Sequence, residues 1–294
     1  MTSGDDTDRR ERARKAIRRL AEEHGLQTEL TILSERWNTV AELGNSGVIA
    51  RAATLADLVR EDPVDAYHRE VHICRELVER GAPVQEPVSD VYVVDGFPIS
   101  LWRKVDGITA GASIEAMVSS LAEIHRLGAD ISLDEPWFAL IAEGTPHNLQ
   151  SLSRRGIVDD STFSRLHDYF SRCLDRITIL DPPGGLIHGD AQRKNSMAVG
   201  DDCIWIDWED SCSGPYAWDL ACLAMNPAYD DDHVLDLYAE FSGLPRFTNA
   251  VLDDLKRLRD LDALMWMMSI QEERELAFQQ EATARLQEIL AADV

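Results

Sequence analysis

The sequence predicts an α+β protein, with a small antiparallel sheet in its N-terminal part and a larger, mainly helical C-terminal part. Two turn signals among short β-prone runs, Gly44-Asn45-Ser46-Gly47 and Asp95-Gly96, each predict a hairpin. From Gly107 onward, apolar residues mostly recur at helical spacing. A chain of 294 residues, 45% of them hydrophobic, is long enough for about two domains with buried cores. We predict domains over residues 1–102 and 103–294.

The N-terminal part is predicted to contain two helices besides the hairpins. A charged stretch from about Thr7 to Glu23 predicts a surface helix. Between the two hairpins, Pro63 to Arg80 returns to a helical period and ends at a glycine. After the leading helix, the predicted order is therefore strand, strand, helix, strand, strand. The chain enters the helical part through Leu101 to Lys104, where Leu101 and Arg103 are candidate nucleotide contacts, and a cleft between the two parts is the expected ligand site.

The C-terminal part is predicted to be helical except for one β island. Helices are expected from the N-cap Ser113 to Gly128, from about Thr162 to Ile177, and again in the tail from about Asp230 to Ala292. The island is LIHGDAQRKNSMAVGDDCIWIDW, in which the runs SMAV and CIWI are separated by Gly200-Asp201-Asp202. This spacing predicts a third hairpin.

The β island carries residues suited to phosphoryl transfer. Asn195 lies six residues before Asp201 and Asp207 six after it, so a symmetric hairpin places Asn195 and Asp207 opposite each other, about 5 Å apart. Two oxygen ligands at that separation can share one Mg²⁺ with substrate phosphates. Asp190, upstream on the same loop, could accept or orient the proton of an attacking hydroxyl. We expect His188 to hold the turn by hydrogen bonding. The alternative is an ordinary polar surface hairpin.

Three motifs carry a resemblance to a known family: HGDxxxxN at His188–Asn195, IDWE at Ile206–Glu209 and GPYAWDLA at Gly214–Ala221. With them, the chain resembles the aminoglycoside phosphotransferase and choline kinase family, whose bilobal fold is similar to that of protein kinases. The stretch LAEIHRL at Leu121–Leu127 extends the resemblance over most of the chain. The resemblance implies Asp190 as the catalytic base, matching the role inferred above.

The resemblance also implies roles for other residues. Asn195 and Asp207 correspond to the Mg²⁺ ligands, and Asp219 is expected to anchor the catalytic loop or the start of its own helix. A basic strand residue held by a helical glutamate should contact the nucleotide phosphates, and Arg51 and Glu70 are the candidates. Arginine stands where the family pattern has lysine, and its fork differs from a point charge. An ordinary surface salt bridge is the alternative for this pair.

The loop that would cover the phosphates is Ser34–Asn38. It contains no glycine, whereas a glycine-rich loop lets backbone amides approach phosphate closely. Ser34 and Asn38 are therefore candidate side-chain donors.

Composition limits the partners that the chain could bind. A formal net charge of −24 repels nucleic acid and anionic membranes and favours cationic small molecules, although a solvated acidic surface is the main explanation of the charge. The charged N-terminus and the lack of a long apolar run predict a cytoplasmic protein. Five cysteines without metal-site spacing predict buried free thiols. The sequence leaves the oligomeric state open.

Together these observations predict an ATP- and Mg²⁺-dependent O-phosphotransferase, with GTP as an alternative donor. Only some ten residues separate Asp207 from the helix near Trp218, too few for the peptide-docking segment of a protein kinase. The acceptor is therefore expected to be a hydroxylated small molecule, foremost an aminoglycoside-type antibiotic or a related amine or sugar, with choline-like amines, amino alcohols and nucleosides open. Competing hypotheses are a nucleotide-binding pseudokinase and a structural domain.

Acidic residues of the helical part are the candidates for recognising an amine. Asp230-Asp231-Asp232 is expected to cap a helix N-terminus, with amine binding as its alternative. The same two explanations, a place at a helix N-terminus and amine binding, apply to Glu272, Glu273 and Glu275.

Overall fold

A computed structural model describes residues 3–55, 62–109, 111–131, 133, 141, 144–270 and 276–291. The chain forms two compact units, Met1–Ala110 with Ile204–Glu209, and Gly111–Cys203 with Asp210–Val294. The segment that carries Asp207 is thus part of the first unit. The domain boundary after residue 102 stays a prediction.

The first unit contains a five-stranded sheet in the order β1-β2-β3-β5-β4, all of whose strand pairs are antiparallel. Its strands are β1 (Leu30–Glu35), β2 (Asn38–Leu43), β3 (Val48–Ala53), β4 (Tyr92–Val94) and β5 (Phe97–Arg103). The predicted order contains one strand too few before the helix, because it joins β1 and β2. The chain reverses at Arg36-Trp37, which carries none of the Gly, Pro or Asn-Gly signals that mark a turn in sequence.

Both predicted hairpins of this sheet are confirmed. β2 and β3 flank the Gly44–Gly47 turn, with Glu42 opposite Ile49. β4 and β5 flank Asp95-Gly96, whose φ values of 51° and 85° are those that a two-residue hairpin turn needs.

Two helices accompany the sheet, α1 (Ser3–Glu23) and α2 (Pro63–Glu79). α1 presents an apolar face of small and branched residues that packs in one core with β2, β3 and β5: Ala13, Ala16, Ile17, Leu20 and Ala21. α2 begins at the N-cap Asp62, whose carboxylate accepts bonds from the backbone N–H groups of Val64 and Asp65. One face of α2 is buried and carries Glu70.

The second unit is mainly helical. Its helices within the described residues are α3 (Ile114–Leu127), α4 (Gly144–Arg154), α5 (Asp160–Leu180), α6 (Ala217–Ala224), α7 (Asp231–Ser242), α8 (Asn249–Ile270) and α9 (Leu276–Ala291). The predicted N-cap of α3 is confirmed, since Ser113 Oγ accepts a 3.1 Å bond from the backbone N–H of Ala116. Asp230 likewise caps α7, accepting a 2.9 Å bond from the N–H of His233. The predicted α+β fold class, with a sheet first and helices after it, is confirmed.

The remaining strands are short. They are β6 (Ile108–Thr109), β7 (Gly184–Ile187), β8 (Ser196–Val199), β9 (Asp202–Trp205) and β10 (Cys212–Pro215). β7 and β10 pair antiparallel, with Ile187 opposite Cys212. This pairing fixes the position of the end of β7, from which the loop that begins at His188 continues. β8 and β9 flank the predicted turn at Gly200-Asp201.

All five cysteines are buried and free, as predicted. Burial raises the pKa of the Cys74 and Cys222 thiols well above the ordinary value, which disfavours the reactive thiolate. Within the ranges described above, none of the helices is long and apolar enough to cross a bilayer.

Candidate active site

The loop after β7 is anchored by a buried carboxylate. Asp219 of α6 accepts backbone N–H bonds from His188 (2.8 Å) and Gly189 (3.0 Å). A carboxylate that takes two backbone donors forms strong, charge-assisted hydrogen bonds. Asp219 is completely buried, so these bonds are shielded from competing water.

Asp219 also receives a histidine. His125 of α3 lies 3.0 Å from the Asp219 carboxylate through Nε2 and 2.8 Å from the Tyr238 hydroxyl through Nδ1. Its ring stacks on Tyr216 at a centroid distance of 4.5 Å. Both ring nitrogens are thus engaged inside the core, which ties α3, α6 and α7 to the loop.

Gly189 lets the loop approach the backbone after β9 closely. Its φ is +85°, its carbonyl accepts a 2.7 Å bond from Trp218 Nε1, and a Cβ at this position would collide with the carbonyl oxygen of Asp210. Gly200, in the hairpin turn, has a φ of +61° but open space around it.

We expect Gly189→Ala to reduce the free energy of unfolding by about 3 kcal/mol or more, because it combines left-handed strain with a backbone clash. Gly200→Ala is the matched control and carries only the strain, about 1–2 kcal/mol. Urea unfolding of both variants measures the difference. Equal losses would show that the approach to Asp210 is unimportant.

Asp190 follows in the same loop and is almost fully buried. Asn195 Nδ2 donates to the Asp190 carbonyl and to its Oδ2, both at 2.9 Å, while Gln192 Nε2 donates to Oδ1. Lys194 Nζ lies 3.4 Å from Oδ2. The backbone N–H of Asp190 donates to His188 Nδ1 at 3.3 Å. The five-residue interval of the motif therefore brings its aspartate and asparagine into direct contact.

Arg259 of α8 also contacts Asp190 and was missed in the sequence reasoning. Its Nη2 donates to Asp190 Oδ1, and its Nη1 donates to Asp262 Oδ2 at 2.7 Å. Burial acts to lower the pKa of this guanidinium, but the neighbouring carboxylates of Asp190 and Asp262 raise it above its ordinary value overall. Nothing in the sequence distinguishes Arg259 from the other basic residues of α8, since only tertiary packing brings it to the loop.

Arg51, Glu70 and Asp207 come together in the first unit. Arg51 Nη1 donates to both Glu70 carboxylate oxygens (2.7 and 2.6 Å), and its Nη2 donates to Asp207 Oδ1 (2.7 Å). The guanidinium also pairs with Glu209 and lies over the Tyr67 ring, 5.0 Å from its centroid. The side chains of Arg51 and Glu70 are 10% and 1% exposed. The alternative of a surface salt bridge is therefore wrong.

The protonation equilibria reflect this burial. Burial raises the pKa of Glu70 and Asp207 adds to the rise, while Arg51 opposes both. Burial acts to lower the pKa of Arg51, but Glu70, Tyr67 and Asp207 raise it well above its ordinary value. Both residues are held in place by each other.

Glu209 is a second residue to which the sequence reasoning gave no role, although it stands in the quoted IDWE motif. Asn38 Nδ2 donates to its carboxylate at 3.0 Å. The predicted donor Asn38 is thus linked through Glu209 to Arg51. Glu70 accepts a 2.9 Å bond from the backbone N–H of Trp208, which fixes the segment between Asp207 and Glu209.

The other predicted nucleotide contacts have positions within the same sheet. Ser34 lies in β1 opposite Val40, at a register shift. Leu101 is buried in β5, and its carbonyl accepts a 2.8 Å bond from the N–H of Val88. The N–H of Arg103 donates to the Glu86 carbonyl at 2.8 Å, and its guanidinium pairs with the Glu86 carboxylate. Their roles in nucleotide binding stay predictions.

Asn195 and Asp207 carry donor atoms that fit Mg²⁺. The Nδ2 of Asn195 is used by Asp190, which leaves the amide oxygen for a cation, and the Asp207 side chain is 44% exposed. One amide oxygen and one carboxylate match the oxygen ligands of a hard cation. Neither residue belongs to β8 or β9, and Asp207 has a φ of 69°, so the two residues are not partners in the regular ladder of this hairpin. Their shared role as Mg²⁺ ligands stays a prediction.

No group of three or more His, Cys, Asp or Glu residues that could hold a metal ion occurs in the parts of the chain described here. Glu272, Glu273 and Glu275, the candidates for amine recognition, lie outside the described residues. Of the other candidates, Asp231 pairs with Lys256 at 2.9 Å and Asp232 with Arg246 at 2.5 Å.

Comparison with known proteins identifies relatives of both sequence and fold. A family model described as the phosphotransferase enzyme family (APH) matches residues 52–261. A homoserine kinase of Methylobacterium sp. (strain 4-46) is 31% identical over 110 residues, which are 37% of this chain and 34% of that protein. The chain thus matches about a third of that relative's length.

Two solved structures illustrate the likeness in fold. Amicoumacin kinase hAmiN, in complex with AMP-PNP, Ca²⁺ and Ami, superposes with a TM-score of 0.73 at 14% identity, over 95% of this chain and 94% of that chain. Choline kinase LicA from Streptococcus pneumoniae superposes with a TM-score of 0.69 at 16% identity, over 94% of this chain and 98% of that chain. The resemblance to the aminoglycoside phosphotransferase and choline kinase family is confirmed.

Proposed function

Because this chain belongs to the phosphotransferase enzyme family, we propose that it transfers the terminal phosphoryl group of ATP to a hydroxyl of a small molecule. The observation that carries the proposal is the loop from His188 to Asn195. Its aspartate and asparagine contact each other directly, and a buried carboxylate from α6 anchors it. Phosphoryl transfer uses a carboxylate in a fixed position to accept the proton of the attacking hydroxyl, and an oxygen ligand beside it for the metal ion.

Asp190 is the group that meets the acceptor. Its carboxylate orients the attacking hydroxyl and accepts its proton as the bond to phosphorus forms. Asn195 and Gln192 donate to the two carboxylate oxygens, so the carboxylate is already oriented before the acceptor arrives. Most of the rate enhancement then comes from positioning and electrostatics.

Arg51 is the group that meets the nucleotide phosphates, and Glu70 holds it. Asn195 and Asp207 would hold Mg²⁺, which neutralises charge on the phosphates when bound. Arg51 pairs with Asp207, and we propose that the guanidinium turns from this carboxylate to the phosphates when the nucleotide binds. A cytoplasmic location, where ATP is present and the five buried thiols stay reduced, completes the proposal.

The proposed acceptor is an aminoglycoside-type antibiotic or a related amine or sugar. The names of the relatives include kinases of amicoumacin, choline and homoserine. The support from this chain is its formal net charge of −24, which attracts cationic molecules.

The proposal is tested by ADP release from the purified protein with Mg²⁺ and ATP, against aminoglycosides, choline-type amines, amino alcohols, sugars and nucleosides. Asp190→Ala, measured beside it, controls for contaminating kinases. Turnover with one acceptor class that the variant lacks would establish the activity. Silence across the panel would contradict it.

A nucleotide-binding pseudokinase is the second candidate, and one observation favours it. The Arg51 guanidinium already pairs with Asp207, the residue assigned to the metal. If that pair persists, the guanidinium competes with Mg²⁺ for the carboxylate, and weak metal binding would leave nucleotide binding without turnover. Mg²⁺-dependent ATP binding by calorimetry, without ADP release from any acceptor, would favour this alternative.

A further inference from the structure

We propose that Arg259 of α8 is a positioning residue for the phosphoryl transfer, which it serves by fixing the carboxylate of Asp190. The inference rests on the proposed function, since it assigns a task to a residue behind the acceptor aspartate. Its basis is the contact of the Arg259 guanidinium with Asp190 Oδ1 and, through the other nitrogen, with Asp262 Oδ2 at 2.7 Å.

The hydrogen-bond donors to the Asp190 carboxylate come from two different elements of the structure. Gln192, Lys194 and Asn195 all belong to the same loop as Asp190 and move with it. Within the parts of the chain that the structure describes, Arg259 alone comes from another element. It therefore fixes the carboxylate relative to α8 rather than relative to the loop itself.

The arginine is itself held firmly. Its side chain is 14% exposed, compared with 58% for Lys194. Asp262, one helical turn further along α8, pairs with the same guanidinium, and the neighbouring Leu258 and Leu261 are buried. A planar fork that bonds two carboxylates at once loses its rotational freedom, as lysine would not.

The consequence for the reaction follows from the torsion that orients the carboxylate. An aspartate rotates about its terminal torsion with only broad, roughly two-fold preferences, so its oxygens need external partners to point in one direction. Arg259 and Gln192 both donate to Oδ1, and Asn195 donates to Oδ2. The second lone pair of Oδ2, on the oxygen that lies 3.4 Å from Lys194, then has a defined direction, which is the one that an acceptor hydroxyl must use.

The test is steady-state kinetics of Arg259→Met, with the acceptor found for the wild-type protein. We expect kcat to fall by about 100-fold, the scale of a small misplacement of a catalytic group. KM for ATP and for the acceptor should stay within about 3-fold, because Arg259 acts through Asp190 and touches neither substrate. Arg259→Lys should recover about 10-fold of the loss, since it restores the charge without the fork.

A double-mutant cycle separates positioning from general destabilisation. In an Asp190→Asn background, Arg259→Met should cause no further loss of kcat. A full additional loss would overturn the inference. So would a large rise in acceptor KM at unchanged kcat, which would mean that Arg259 binds the substrate itself.

Arg257→Met is the matched control, because Arg257 lies on the same helix but pairs with Asp254 at 2.7 Å. It should keep the wild-type kcat. If Arg259→Met does not fold, Asp262→Asn replaces it: this change loosens the guanidinium and should lower kcat by about 10-fold. Unchanged kinetics in Asp262→Asn would then overturn the inference. Absent wild-type turnover would instead contradict the proposed function.

Discussion

Asp190→Ala is expected to lower turnover by about 10²- to 10⁴-fold, the usual contribution of a positioned acid or base. The affinity for Mg²⁺-nucleotide should change by less than about 3-fold, because the proposed phosphate contact, Arg51, belongs to another part of the chain. ADP release measures the first quantity, and calorimetric titration with a non-hydrolysable ATP analogue measures the second. Asp190→Asn, which keeps the shape, should lose turnover to a similar extent.

Asp207→Ala is the contrasting variant. It removes the carboxylate assigned to Mg²⁺, so we expect weaker Mg²⁺-nucleotide binding as well as lost turnover. The buried Arg51 keeps Glu70 and Glu209 as partners in this variant, and urea unfolding controls for the loss of its bond to Asp207 and for the positive φ of residue 207. If the Asp190 and Asp207 variants lose nucleotide affinity equally, the division of roles between them is wrong.

Arg51→Met is expected to reduce the free energy of unfolding by about 3–5 kcal/mol, the usual cost of breaking a buried ion pair from one side. The reason lies in the two carboxylates left behind, since Glu70 and Glu209 are 1% and 9% exposed. Urea unfolding followed by tryptophan fluorescence measures the change. Nucleotide affinity should fall as well, since Arg51 is the proposed phosphate contact.

Arg75→Met is the matched control. Arg75 lies on α2 and pairs with the exposed Asp90 at 2.7 Å, and an exposed pair of this kind contributes less than about 1 kcal/mol. Adding Glu70→Gln to Arg51→Met should recover part of the stability, because it removes the unpaired charge. Equal costs for the Arg51 and Arg75 variants would contradict the account of a buried network.

Local chemistry made a large part of the molecule predictable. The hairpin at Asp95-Gly96 needs two positive φ values, and Ser113 caps a helix through its own side chain, so both are properties of a few consecutive residues. The contact between Asp190 and Asn195 is also local, since five residues of one loop contain both partners. β1 and β2 were predicted as a single strand because the turn between them, at Arg36-Trp37, has no local signal.

The sequence by itself determined the fold class, the family motifs and the acid and amide of the candidate catalytic loop, because each depends on spacing along the chain. Only the tertiary structure decided that Arg51 is buried among Glu70, Asp207 and Glu209, and that Arg259 reaches Asp190. These contacts join residues 19 to 158 positions apart. No local pattern encodes such contacts, because a charged side chain looks the same in sequence whether packing buries it or solvent surrounds it.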